Sequence, residues 1–333
     1  MIPLRLPPNQ LQRFYRGGEA IARFRGTEPV GEYAPEDWVG STTTSFGEPE
    51  AGLSRLEDGV TVRAAVAAGP EELLGPGRTE TGLLVKLLDA GERLPVHCHP
   101  DRSFAARHLG SSHGKTEAWV IVEARGKRPV VALGFSRPVD AGTLAGWVER
   151  QDVEALLGSL NELPVAAGDA IFVPAGVPHA IGEGILLVEL QEPSDLSVLL
   201  EWEGFAVDGR AAGHLGLGFE TALAAVDRSA WTCERLTPLL RSTAGGGERI
   251  PLLPPAAAPF FGGERLRPAP RLELEPSFSI VVVLSGSGRI DCADGGLDLA
   301  GGQTLLVPYG AGRCTLTGAL DAIRCLPPDR AGG

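Results

Sequence analysis

Short runs rich in Val, Ile and Leu recur along the chain, at 83–88, 118–122, 129–133, 170–173, 184–190, 279–284 and 304–307. Glycine, proline and polar residues separate them, so the pattern is one of brief strands punctuated by turns. It predicts an all-β sandwich or barrel. Two stretches follow a different period. Residues 152–160 set Val153, Leu156, Leu157 and Leu160 at helical spacing behind Asp152, a residue suited to cap a helix. Residues 219–226 read as a second short helix. The Gly-, Pro- and Ala-rich stretch 242–263 reads as a connecting loop, some of which can pair with strands.

The second half repeats the first in outline. Residues 279–290 (strand, Gly-Ser-Gly turn, strand) are similar to 118–131, and Gly302, Pro308 and Gly310 repeat the spacing of Gly168, Pro174 and Gly176. A repeat on this scale predicts two related β units, residues 1–205 and 206–333, the second entered through a helical and loop connection. Arg313 falls near the place where the first copy has His179. The second unit is therefore expected to lack a metal.

Composition narrows the picture. A chain of 333 residues is long enough for two cores without disulfide staples. The five cysteines are odd in number and show no CxxC spacing, so they are expected as reduced thiols in a cytoplasmic protein. No stretch approaches eighteen uninterrupted apolar residues, and no basic segment precedes an apolar one near residue 1, so neither a membrane span nor a secretory signal is expected. Thirty Lys and Arg against forty-two Asp and Glu give a net charge of −12 with no basic run, which argues against a nucleic-acid partner. That charge also repels a phosphorylated ligand at long range, so a phosphate site has to be built from a few local cations.

Candidate chemistry gathers on three of the six histidines. His97 and His99 are two apart, and residues at that spacing on a strand point to one face. Cys98 between them points away. His179 ends the segment Pro174-Ala-Gly176-Val-Pro178-His179, whose Pro and Gly suit a tight turn that brings one more imidazole to the same place. Lys115, Glu117 and Trp119 share a strand face, which puts a carboxylate and an amine in the same interior. Imidazoles and a carboxylate with an open position suit Zn, Mn, Fe, Co or Ni. One divalent ion on His97, His99, Glu117 and His179 is the expectation.

The two histidine motifs resemble those of the cupin superfamily, and the long gap from His99 to Glu117 resembles class I mannose-6-phosphate isomerases in particular. The likeness runs through Leu83 to Ala90, His99-Pro100-Asp101, Gly114-Lys115-Thr116-Glu117, Val173 to Gly176, His179 to Glu189 and Ser194-Asp195, with fainter echoes at Tyr15 to Gly18 and 35–40. It implies a mainly β bicupin, two jelly-roll barrels with short helical insertions. It also implies zinc as the first choice of metal, and interconversion of mannose 6-phosphate and fructose 6-phosphate through a cis-enediol. Lys115 and Glu189 match family residues beside the substrate and are the candidate catalytic pair. Lys115, Arg102 and Arg210 are the candidate substrate contacts. A small sugar phosphate is the expected partner, with no nucleic acid or membrane, for a monomer or homodimer.

Two positions depart from the family. His97 stands where glutamine is usual, which makes Mn or Fe more plausible beside zinc. Leu199 stands ten residues beyond Glu189, where the family carries an arginine, so an anchor for an anionic group is missing. An isomerase or epimerase of another sugar, unphosphorylated or differently phosphorylated, therefore stays open. So do a metal-bearing sugar-binding or regulatory protein without turnover, and an oxygen-using cupin.

Overall fold

The computed structural model describes residues 1–243 and 245–329; Ala244 and residues 330–333 lie outside the described residues. Each apolar run falls on a strand: Leu84–Asp89, Glu117–Ala124, Val130–Phe135, Asp169–Val173, Ile185–Gln191, Ser279–Cys292 and Thr304–Val307. The result is a mainly β molecule built of three antiparallel sheets.

A seven-stranded sheet runs in the order Leu240–Ser242, Asp169–Val173, Glu117–Ala124, Ile185–Gln191, Leu84–Asp89, Glu36–Val39, Gln10–Leu11. Facing it is a five-stranded sheet in the order Val198–Leu199, His97–Cys98, His179–Ile181, Val130–Phe135, Leu160–Pro164. The third sheet has eight strands. It joins Leu4–Arg5 to Thr304–Val307, Ser279–Cys292 and Cys314–Leu326 along its main path. The first strand of the chain is thus an edge of the C-terminal sheet, with Leu4 opposite Leu306.

Ile185–Gln191 is buried along its whole length, which explains its unbroken apolar run. It has a strand on each side and is covered on both faces, so no alternation with polar residues is needed. One apolar core joins Val120, Val188 and Leu190 of the seven-stranded sheet to Ile280, Val282 and Ile323 of the eight-stranded sheet. A smaller core packs helical residues Leu144, Val148 and Leu156 against Val96, Cys98 and Val198 beside the five-stranded sheet.

The helix expected at 152–160 is Val153–Gly158, capped by Asp152, which accepts from Ala155 N. A longer helix before it, Ala141–Arg150, escaped the sequence reading although Asp140 caps it in the same way. At 219–226 there is a short helix, Phe219–Ala222, and a 3-10 turn, Leu223–Ala225. Part of the stretch 242–263 does pair, as the strand Arg249–Pro251 and the start of Gly262–Leu266. Among the described residues no helix is long and apolar enough to cross a membrane.

The internal repeat extends to backbone geometry. Gly168 and Gly302 take the same left-handed conformation, φ +92° and +86°, and their N–H groups donate to Ile121 O and Val283 O on corresponding strands. A Cβ on Gly302 would run into the carbonyl oxygen of Phe24. Gly302→Ala is therefore expected to destabilise the fold by about 1–3 kcal/mol, read as a lowered thermal midpoint. Gly158→Ala, where a Cβ meets open space, is the control and should leave the midpoint in place. Where the first copy has His179, the second has an exposed Arg313 paired with Glu275 at 3.0 Å.

The expectation of five reduced cysteines is corrected: Cys292 and Cys314 form a disulfide. The register sets Asp291 opposite Thr315, so the next pair along, Cys292 and Cys314, also meets across the ladder with Cα atoms 4.4 Å apart. That proximity depends on strand register, which the spacing of cysteines in the sequence does not reveal. Cys98 and Cys325 are buried thiols, and burial pushes Cys98 up to about 12.

Candidate metal centre

His97 and His179 are directly opposed residues on neighbouring strands, so their imidazoles leave the same face side by side with ring centroids 4.2 Å apart. His99 lies two residues further on, its ring 4.9 Å from each of the others. Glu117 begins its strand on the facing sheet. Its Oε2 is 3.1 Å from His99 Nε2, and its Oε1 is 3.3 Å from His179 Nε2. Cys98 turns the other way into the smaller core, as alternation requires.

The proton inventory of the three imidazoles argues for a cation. Each Nδ1 faces a backbone carbonyl: His97 to Pro95 O at 2.8 Å, His99 to Leu196 O at 2.8 Å and His179 to Val177 O at 2.9 Å. In a neutral ring that contact places the proton on Nδ1 and leaves Nε2 as a bare lone pair. His97 Nε2 and His179 Nε2 then face each other at 3.0 Å. Burial, and next the other histidines, hold His97 well below its ordinary range; burial in the first place pushes His179 down to about 3. Two unprotonated lone pairs at that distance repel unless a cation lies between their donors and the carboxylate. The donor set therefore fits a divalent first-row ion.

Further charges surround the cluster. Lys115 Nζ lies 2.9 Å from His99 Nε2 and 3.0 Å from Glu117 Oε2. On the seven-stranded sheet Trp38, Lys86, Glu189 and Trp119 are successive register partners, so all four project from one face in a row. Lys86 Nζ lies 3.3 Å from Glu36 and 3.4 Å from Glu189, over the Trp38 ring. Burial alone would discharge Lys86, but Glu36 and Glu189 outweigh it and keep the amine protonated. Tyr15 donates to Glu36, and Arg13 reaches Asp195 at 3.2 Å. Burial, and next the charge on Glu117, push Glu189 up to about 7 against the pull of Lys86. Two buried atoms lining this pocket, Glu189 Oε1 and Arg13 Nε, have no hydrogen-bond partner among the described residues. Such groups are costly unless a ligand engages them. The enclosed space is about 50 Å³, close to one or two water volumes, so a sugar needs room beyond it.

Comparison with known proteins agrees with this geometry. No family model matches the chain. It is 29% identical over 245 residues, 72% of this chain and 73% of the relative, to the mannose-6-phosphate isomerase ManA of Bacillus subtilis. It is 26% identical over 308 residues, 90% of both chains, to the mannose-6-phosphate isomerase of Streptococcus mutans. The crystal structure of the Bacillus subtilis mannose 6-phosphate isomerase superposes with TM-score 0.78 at 23% identity, over 97% of this chain and 99% of that one. Over most of its length the chain is similar to mannose-6-phosphate isomerases. A further structure, of a mannose 6-phosphate isomerase bound with zinc and yttrium, shares the fold at TM-score 0.72 and 14% identity, over 98% of this chain and 100% of that one.

Against the resemblance to mannose-6-phosphate isomerases, the structure distributes the expected residues unevenly. His97, Lys115, Glu117 and Glu189 line one buried pocket, and His99 and His179 join it through Glu117. Arg102 does not line it: its guanidinium is tied to Glu192 and Pro259 O and lies over the Phe260 ring. Arg210 does not line it either, because the helix Gly209–Ala212 carries it to a groove beside Trp202 and Phe219, where it donates to Glu149 O. Leu199, at the position of the family arginine, is register partner to His97 and brings no charge to the pocket. Sequence reasoning missed Arg13, Glu36, Lys86 and Asp195. Lys86 did carry a signal, as a lone cation inside the otherwise apolar run Leu83 to Leu88.

Proposed function

We propose that this chain is a metal-dependent aldose–ketose isomerase that interconverts mannose 6-phosphate and fructose 6-phosphate. The observation that carries the reading is the pair of bare imidazole nitrogens, His97 Nε2 and His179 Nε2, facing each other at 3.0 Å beside a buried carboxylate. On this proposal His97, His99, Glu117 and His179 hold one divalent ion, with zinc the first choice. When bound, the ion supplies Lewis-acid stabilisation for charge that grows on the sugar oxygens. The chain itself has to move a proton between C2 and C1, which needs a base of pKa near the working pH. Glu189 is our candidate, since burial raises its carboxyl to about 7 and its Oε1, 3.4 Å from Lys86 Nζ, accepts no hydrogen bond among the described residues. Lys115 is placed to donate to a sugar oxygen, and Lys86 holds Glu189 in position across the strand pair.

The proposal takes residues 1–205 as the metal-bearing unit and 206–333 as a companion. Edge strands are exchanged between them: Leu4–Arg5 pairs with Thr304–Val307, and Leu240–Ser242 pairs with Asp169–Val173. A cytoplasmic monomer or homodimer completes the reading.

The deciding experiment is a coupled assay for fructose 6-phosphate formed from mannose 6-phosphate. It uses metal-stripped protein reloaded with Zn, Mn, Co or Fe. Turnover that depends on added metal is expected. Absence of turnover with all four ions would reject the assignment.

A further inference from the structure

Of the cations lining the metal pocket, Arg13 is matched with Asp195 and Lys86 with Glu36 and Glu189, and Lys115, 3.0 Å from Glu117, is the one the reading above assigns to a sugar oxygen. Neither Arg13 nor Lys86 is spare for an anionic group. A second cavity, about 530 Å³, adjoins the pocket, and Asp195 lines both. Leu196, whose carbonyl holds His99 Nδ1, also bounds this outer cavity. Its wall is rich in hydroxyls, among them Thr42, Thr43, Thr44 and Thr79, and it includes Arg63 and His113.

We propose that this outer cavity receives the phosphate group of the sugar substrate, gripped by Arg63 and the Thr42–Thr43–Thr44 segment. The inference rests on the isomerase reading above and assigns that substrate's charged end.

The guanidinium of Arg63 uses one edge, Nε at 2.9 Å and Nη2 at 2.7 Å, to hold the carbonyl of Thr42. That bond fixes the plane of the side chain. The other edge of the fork, with Nη1, is left over, and Arg63 has no carboxylate partner among the described residues. A planar fork of this kind matches two oxygens of a phosphate. Thr43 supplies independent support. It is only 8% exposed, and its Oγ1 has no hydrogen-bond partner among the described residues. A buried hydroxyl without a hydrogen-bond partner is uncommon and unfavourable, and this one belongs to a residue of the cavity wall. The two carboxylates on the cavity wall do not compete for Arg63: Glu80 is engaged by His113 Nε2 at 3.0 Å, and Asp195 by Arg13. The long-range repulsion expected from the net charge of −12 is thus met by one local, uncommitted cation.

The test compares wild type with Arg63→Gln and Thr43→Val in the full, metal-loaded chain. Inorganic phosphate is titrated by calorimetry, and steady-state rates are measured with mannose 6-phosphate and with unphosphorylated mannose. Arg63 is exposed, so its replacement is expected to fold; thermal midpoints check both variants. The expected result is phosphate binding that weakens about tenfold or more in Arg63→Gln and less in Thr43→Val. KM for mannose 6-phosphate should rise in parallel, with a much smaller change in kcat. Turnover of mannose 6-phosphate with KM and phosphate affinity unchanged in both variants overturns the cavity assignment and leaves the isomerase reading standing. If the wild type turns over no hexose phosphate, the isomerase reading falls instead. The phosphate titration then decides the cavity alone: binding lost in Arg63→Gln supports an anion site there, and no binding to wild type rejects it.

Discussion

Glu117→Ala is expected to strip the metal from the protein and to abolish isomerisation. Both carboxylate oxygens of Glu117 face imidazole nitrogens, and among the described residues it is the one acidic donor placed against His99 and His179. Its buried charge is also sustained by its surroundings: burial alone would raise its pKa, but Lys115 and then the histidines hold it well below the usual carboxylate range. The mutant keeps three neutral imidazoles and gains an uncompensated Lys115 amine beside them. Loss of a mere supporting partner typically costs a metal site 10–100-fold in affinity, so loss of a ligand should cost at least about 100-fold. Metal content after dialysis and the initial rate in the coupled assay give two independent readouts. A mutant that retains stoichiometric metal and wild-type turnover would remove Glu117 from the centre. Because Trp119 Nε1 also donates to Glu117, at 3.0 Å, the alanine variant should be accompanied by Glu117→Gln, which preserves an acceptor there.

Glu189→Gln should separate chemistry from metal binding. A positioned base contributes typically 10²–10⁴-fold to rate, so kcat is expected to fall by about that factor while metal content stays at the wild-type level. The pH profile carries a further signature. Glu189 is raised to about 7 by burial first and by Glu117 second. Only its ionised form accepts a proton, so wild-type activity should be high above pH 7 and decline as the pH falls through that value. In Glu189→Gln the decline should vanish from the residual rate. A limb that persists unchanged in the variant would assign the titration to another group and the proton transfer with it.

Much of this centre was legible in the sequence because its geometry is local. The two-residue spacing of His97 and His99 fixes a shared face on any strand, and Cys98 between them goes to the apolar side whatever the fold. Glu117 and Trp119 obey the same rule. Glu36, Lys86, Arg13 and Asp195 were hidden because what joins them is register between strands distant in the chain. Trp38 meets Lys86, and Lys86 meets Glu189, only after three separate strands have paired. The Cys292–Cys314 bond has the same origin. The helix Ala141–Arg150 is a different case: Asp140 followed by Leu144, Trp147 and Val148 is a readable capped helix, overlooked amid a β pattern. Arg102 and Arg210 illustrate the opposite error, since closeness in sequence to the motifs said nothing about which way their two helices would carry them.

The pairing of Leu4–Arg5 with Thr304–Val307 also sets a timetable for biosynthesis. The first strand leaves the ribosome about 300 residues before its neighbour is translated, and contacts so distant in sequence form late. Until then an edge strand and its adjoining residues wait without their hydrogen-bonding partner, while the strands around the histidines can already assemble. The strands around the histidines therefore have the opportunity to mature first, and the first strand is fastened only when Thr304–Val307 arrives. During that interval the unpaired N-terminal edge is the segment most open to wrong pairing with another nascent chain.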